Sequence, residues 1–199
     1  TCNMVSDPFQ GTSMATPAIA GLSALTRQYF MEGWYPSGAP TSGDELTPSA
    51  ALIRAVIVNG ATDMGTADIP NYNEGWGRLC LDDAIYFDGD TRELIVEDAS
   101  AGVTTGQTQS FDFDVDSSSV PLEVVLVWID YPATAGAGVA LQNNLNLTVT
   151  APGGTVYKGN VMSGGQSVTG GTADPAGPQR EGAKVTVTAD EPPEGQMFD

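Results

Sequence analysis

Residues 11–17 read Gly11-Thr12-Ser13-Met14-Ala15-Thr16-Pro17 and run into Ala18-Ile19-Ala20-Gly21-Leu22-Ser23-Ala24-Leu25. The second stretch is small and apolar on every side, which suits a helix buried in the middle of a domain. Ser13 then falls where a tight turn enters that helix. The first N–H groups of a helix point outward without acceptors, and the dipole there favours negative charge. Acyl transfer puts an oxyanion beside an attacking serine, so this is a fitting setting for a nucleophile. Gly11 lets the backbone approach closely, and Pro17 is expected in or near the first turn, where a missing N–H costs least. Met14, next to the hydroxyl, is a thioether open to oxidation where solvent reaches it.

A serine hydroxyl is a weak nucleophile and needs a general base with a group to orient it. The 199 residues contain no histidine. The usual base is therefore missing from the same chain that carries the serine.

The heptad resembles, letter for letter, the nucleophile motif of the subtilisin-like serine proteases. The resemblance implies that Ser13 is the nucleophile and that its own N–H is one oxyanion donor. Catalytic residues in that family come in the order Asp, His, Ser. The base, its carboxylate and a side-chain oxyanion donor are thus implied upstream of Thr1. Thr1 is no initiator Met and no signal-peptide pattern follows it, so the chain is expected to be the C-terminal part of a longer protease. A nicked or two-chain enzyme is the alternative.

Composition bounds the partners. Apolar residues make up 41% of the chain, enough for a packed core, and no apolar run is long enough to suggest a membrane span. The 25 acids against 7 bases give a net charge of −18, which repels nucleic acid and anionic lipid. Ten acids lie between Asp82 and Asp116, with Arg92 the only base among them. That density could supply calcium ligands, but a solvated acidic face of a secreted or salt-adapted protein is the expectation. Cys2 and Cys80 show no zinc spacing. Because the resembled family is mostly secreted, a disulfide between them is expected, worth about 4 kcal/mol in the chain-entropy account; in the cytosol they would be two thiols.

Residues 1–90 read as the end of an α/β domain. The serine-bearing helix is predicted to run to about Tyr29 or Phe30, and the turn-rich residues 33–40 to form a surface loop. A second helix is predicted with Thr47 as N-cap, Pro48 at its first position and Gly60 as its stop. Gly75-Trp76-Gly77 then leads to a short closing helix over 81–85, the order in which subtilisin-like catalytic domains close. From about Thr91 the period alternates. Strands are predicted over 109–115, 122–130, 145–151 and 184–188, with Pro152-Gly153-Gly154 as a turn, which argues for an all-β sandwich or barrel over 91–199.

Residues 126–130, 141–147 and 151–160 carry a second resemblance, to the C-terminal jelly-roll-like domain of the oxidatively stable alkaline subtilases, itself distantly similar to the P domain of kexin-type convertases. Asn144 and Asn146 stand where that family usually has aspartates, which weakens any calcium site there. Residues 175–182 also depart from its pattern, so the barrel is expected to be incomplete or differently closed. Asn146-Leu147-Thr148 has the form of an N-glycosylation sequon, expected to be chance in a strand unless the source is eukaryotic.

The fold expected is thus an α/β C-terminal part of a subtilisin-like catalytic domain (1–90) followed by an all-β jelly-roll-like sandwich or barrel (91–199). The function expected is a secreted, extracellular serine endopeptidase acting through an acyl-enzyme on Ser13. Its partners are a protein or peptide substrate and an upstream segment bearing Asp and His, with no nucleic acid and no membrane. No cofactor is implied for catalysis, and calcium only as a structural ion. The rival is a non-catalytic structural or binding module carrying a vestigial motif.

Overall fold

The computed structural model describes residues 11–65, 69–115, 121–138, 141–163, 166–169 and 183–190. Helix α1 spans Thr12–Met31 and α2 spans Ala50–Asn59; a short α3 covers Leu81–Ala84. The end of α1 is set by backbone chemistry. Gly33 takes φ +72°, Gly33 N–H bonds Phe30 C=O and Trp34 N–H bonds Tyr29 C=O, the paired closure that satisfies a helix's last carbonyls.

The first core forms where the C-terminal half of α1 meets α2 and α3. Tyr29, Phe30, Leu52, Val56 and Ala84 are buried together. The rings interlock edge to face, with centroids 5.2 Å apart for Tyr29–Phe30, 5.9 Å for Tyr29–Phe87 and 5.8 Å for Phe30–Tyr35, geometry that the ring quadrupoles favour. Tyr29 Oη donates to Tyr86 C=O at 2.7 Å, and burial pushes its phenol pKa up to about 12, so it remains a donor at any ordinary pH. Residues 33–40 are not the simple surface loop that their composition suggests. Gly33 and Gly38 are buried, and half-buried Trp34 and Tyr35 pack on the core.

Helix α2 begins two residues later than expected. Ser49, not Thr47, is its N-cap, with the side chain accepting from Leu52 N–H at 3.0 Å. Ser49's own N–H donates to Asp98 Oδ2 at 2.7 Å. That bond comes from an extended strap, residues 94–98, in which Leu94 and Val96 pack on the same core and Val96 N–H reaches Tyr35 Oη. Helix α2 stops at Gly60 as predicted, but not for conformational reasons, since φ there is −85°. The constraint is space: a Cβ at Gly60 would run into Ala84 Cβ and, at 2.8 Å, Cys80 C=O. Gly60→Ala should therefore cost about 1–3 kcal/mol by overpacking, read as a lowered denaturant midpoint with unchanged m. An unchanged midpoint would mean that α3 moves aside freely. Strands β1 (Ala61–Thr62) and β2 (Arg78–Leu79) pair just beyond this contact. Cys80, between β2 and α3, is half-buried; its expected partner Cys2, and so the pairing itself, lies outside the described residues.

The remaining strands form one antiparallel sheet in the order β3-β8-β4-β5, from β3 (Thr108–Phe113), β4 (Asn144–Thr150), β5 (Val156–Lys158) and β8 (Ala183–Asp190). A two-stranded ribbon, β6 (Met162–Ser163) with β7 (Gln166–Ser167), stands apart in pairing. Alternation puts Phe111, Phe113, Leu147 and Val149 on one face, where they pack with Val124, Leu126 and Tyr157. The 152–154 turn forms as expected, with Gly154 N–H bonding Ala151 C=O. Residues 122–130 do not join a ladder in the described structure, although Val124 and Leu126 reach the core. Their apolar run was legible, but such a run specifies burial, not pairing. The described residues thus contain one four-stranded sheet; no opposing sheet of a sandwich is seen among them. The departure at 175–182 lies outside them.

Candidate functional site

Ser13 is the second residue of α1, at the turn where the sequence places it. Gly11 is the N-cap, with φ 132° and ψ 171°, a conformation essentially confined to glycine. No side chain caps this end; Gly11 C=O accepts from both Met14 and Ala15 N–H at 3.1 Å. Helix geometry leaves the N–H groups of Thr12 and Ser13 without intrahelical acceptors, pointing out of the first turn. These are preorganised donors, and the helix dipole adds to their pull on an anion.

Pro17 is the sixth residue of α1, in its second turn, two positions past the first turn in or near which the sequence predicts it. Its missing N–H would have bonded Ser13 C=O, so the helix ladder does not engage that carbonyl. Thr16 Oγ1 bonds Thr12 C=O at 2.8 Å in the same turn. Met14 is 37% exposed, and its Cε lies 3.6 Å from where a Gly11 Cβ would stand, so solvent reaches the thioether beside the hydroxyl.

The helix behind Ser13 is not buried in this chain. Residues 11–21 are all exposed, and Ile19 and Leu25 show 39% and 50% of their surfaces. No element of the described residues covers that half of α1. The arrangement offers an exposed serine beside two helix N–H groups that no intrahelical acceptor engages. The 199 residues contain no histidine.

Two further features escaped the sequence reading. An open apolar groove of about 250 Å³ lies at the other end of α1, roughly 18 Å along the helix from Ser13, lined by Leu25, Tyr29, Trp34, Ile85 and Phe87. Glu32 at its rim accepts from Gln28 Nε2 and Trp34 Nε1, which hold its carboxyl below the ordinary value. The groove is too far from Ser13 to belong to the same centre.

The second is Asp130. Its Oδ2 accepts from Gln142 N–H at 2.7 Å, and its Oδ1 from Tyr131 N–H at 3.0 Å and Asn143 Nδ2 at 2.6 Å; Asn143 N–H lies within reach of both oxygens. Burial alone would raise this carboxyl's pKa, but the Gln142, Asn143 and Tyr131 donors outweigh it and hold it below its usual 3.8. Both oxygens are already filled by N–H donors, and no group of three or more Asp, Glu, Cys or His comes together among the described residues. The donor set makes Asp130 a carboxylate clamp on the loop at 142–143. A depressed carboxylate contributes stability above its unfolded pKa and loses it as pH falls through the folded one. Asp130→Asn should therefore melt below the parent at about pH 6. The gap should close as pH drops under 3.8. Parallel melting curves down to about pH 2.5 would exclude the clamp as the cause.

Residues 1–77 match the subtilase family, Peptidase S8. The chain is also similar to three proteins of Dictyostelium discoideum named as serine protease/ABC transporter B family proteins. Identity to tagD is 29% over 182 residues, with 70% of this chain and 10% of that protein covered. For tagA it is 30% over 147 residues, with 71% and 8% covered, and for tagB 25% over 181, with 69% and 10%. The chain thus spans about a tenth of the length of these relatives. Among the described residues no helix is long and apolar enough to cross a membrane.

Proposed function

We propose that this chain is the nucleophile-bearing part of a subtilisin-like serine endopeptidase that works outside the cell. Ser13 attacks the scissile carbonyl of a protein or peptide. A histidine from chain outside these 199 residues, oriented by an aspartate, takes the Ser13 proton and passes it to the leaving amine. The Ser13 N–H helps hold the oxyanion, and water then releases the acyl group. Residues 91–199 form an accessory β domain of the jelly-roll type found in the oxidatively stable alkaline subtilases. The observation that carries the reading is the Gly11–Pro17 heptad folded as an uncapped helix start, within a segment that matches the subtilase family.

An active-site probe tests it. The 199-residue chain alone should not react with a phosphonofluoridate, because nothing in it activates Ser13. Once the chain is joined to the upstream part of its reading frame, Ser13 should be labelled stoichiometrically. Labelling of the isolated chain would refute the division of the triad. Failure to label with an upstream Asp and His present would favour the non-catalytic module.

A further inference from the structure

Of the eight asparagines in the chain, only Asn146 is followed at the second position by Ser or Thr without an intervening proline. A sequon in a strand is a poor acceptor if folding hides it, and half of all strand positions face a core. In β4 the alternation runs the favourable way. Leu147 and Val149 are buried, at 8% and 1% exposure, whereas Asn146 is exposed. Asn146 and Thr148, two residues apart, share the face opposite that core. The same face of β3 carries Ser110 and Asp112, so this side of the sheet is polar and solvated.

Among the described residues, the surroundings leave room. The β4–β5 ladder runs only from Thr150↔Val156 to Thr148↔Lys158, so β5 has ended before it comes level with Asn146. A single backbone bond, Gly159 N–H to Leu147 C=O, follows, and the chain then turns away through Asn160 at φ 60°. On its other side Asn146 is in register with Thr188 of β8. A bulky group on Asn146 would stand off the polar face and disturb neither the Leu147–Val149 core nor a ladder bond.

We infer that Asn146 is an N-glycan acceptor when this chain passes through a secretory lumen. The donor is a lipid-linked oligosaccharide diphosphate. A bond forms between Asn146 Nδ2 and the anomeric carbon, the anomeric C–O bond to the diphosphate breaks, the lipid diphosphate departs with the electron pair, and the amide gives up one proton. The glycan shields the polar face of the sheet and keeps a further strand or sheet from docking there. None of this depends on Ser13 chemistry, so the two proposals fail separately.

The test is cell-free translation of all 199 residues behind a cleavable signal sequence with endoplasmic-reticulum microsomes. The protease-protected chains should shift by one glycan, collapse with an endoglycosidase, and stay unshifted for Asn146→Gln and Thr148→Val. Secreted from a eukaryotic host, the glycosylated chain and its enzymatically deglycosylated form should melt within a degree or two of each other. Protected chains that run unshifted, or a shift that survives Asn146→Gln, would overturn the assignment. So would a melting point that falls by many degrees on deglycosylation, because the sugar would then be packed against the fold and not projecting from it.

Discussion

Ser13→Ala, made in the protein with its upstream segment attached, should lower kcat for peptide hydrolysis by on the order of 10⁶-fold while leaving KM nearly unchanged. Losses of that size follow when the nucleophile of a serine–histidine–aspartate unit is removed, because base and orienter then have nothing to activate. What survives is the stabilisation from binding and oxyanion donors, about 10³–10⁴ over water. Gly11→Ala provides the geometric counterpart. Its φ of 132° costs a residue with a Cβ about 1–3 kcal/mol, and the turn that aims the first amides must shift to relieve it. A fall in kcat with little change in the melting of the Tyr29–Phe30 core is the expected outcome, read by steady-state kinetics beside calorimetry. Full activity in Ser13→Ala would remove the serine from the mechanism altogether.

How far the sequence specified this structure depends on whether the signal was local. The heptad, the stop at Gly60, the 75–77 turn, the closing helix and strands β3 and β4 are all written in short spans, where spacing and turn chemistry decide. The cap of α2 was misplaced by two residues because Thr47-Pro48 and Ser49 both satisfy the pattern. The choice between them involves Asp98, which bonds Ser49 N–H from 49 positions away. The sequence marks Gly60 as a stop, but its need for a bare Cα comes from Ala84, a tertiary neighbour. Residues 122–130 carry the strongest β composition in the chain, yet β3 and β4 both pair with β8, 33 residues beyond the end of β4. Partner choice in a sheet is a long-range competition that strand propensity does not resolve. The Asp130 clamp escaped notice because its donors are mostly backbone N–H groups, which carry no residue signature.

The strongest contrast in protection should fall within a single helix. In its last turns α1 buries Thr26, Tyr29 and Phe30 at 0%, 4% and 0% exposure, and Phe30→Ala should cost about 3–5 kcal/mol. Its first ten residues touch no core, lack one ladder bond at Pro17 and leave Met14 and Ile19 open to water. A short helical stretch with no tertiary packing is marginal in water. In a monomeric sample of the 199 residues, the amides of 15, 16 and 18–21 should therefore exchange on the order of 10²-fold or more faster than those of Phe30, Leu147 and Val149. Residues 122–130 should also exchange quickly, because they reach a core without joining a ladder. The contrast should vanish when the upstream segment is supplied, since the apolar half of α1 then has something to pack against. Equal protection along all of α1 in a proven monomer would mean that the helix start stands unaided. The open amides beside Ser13 would then be a fixture of this chain alone, and the catalytic centre would need its partner segment for the base but not for its shape.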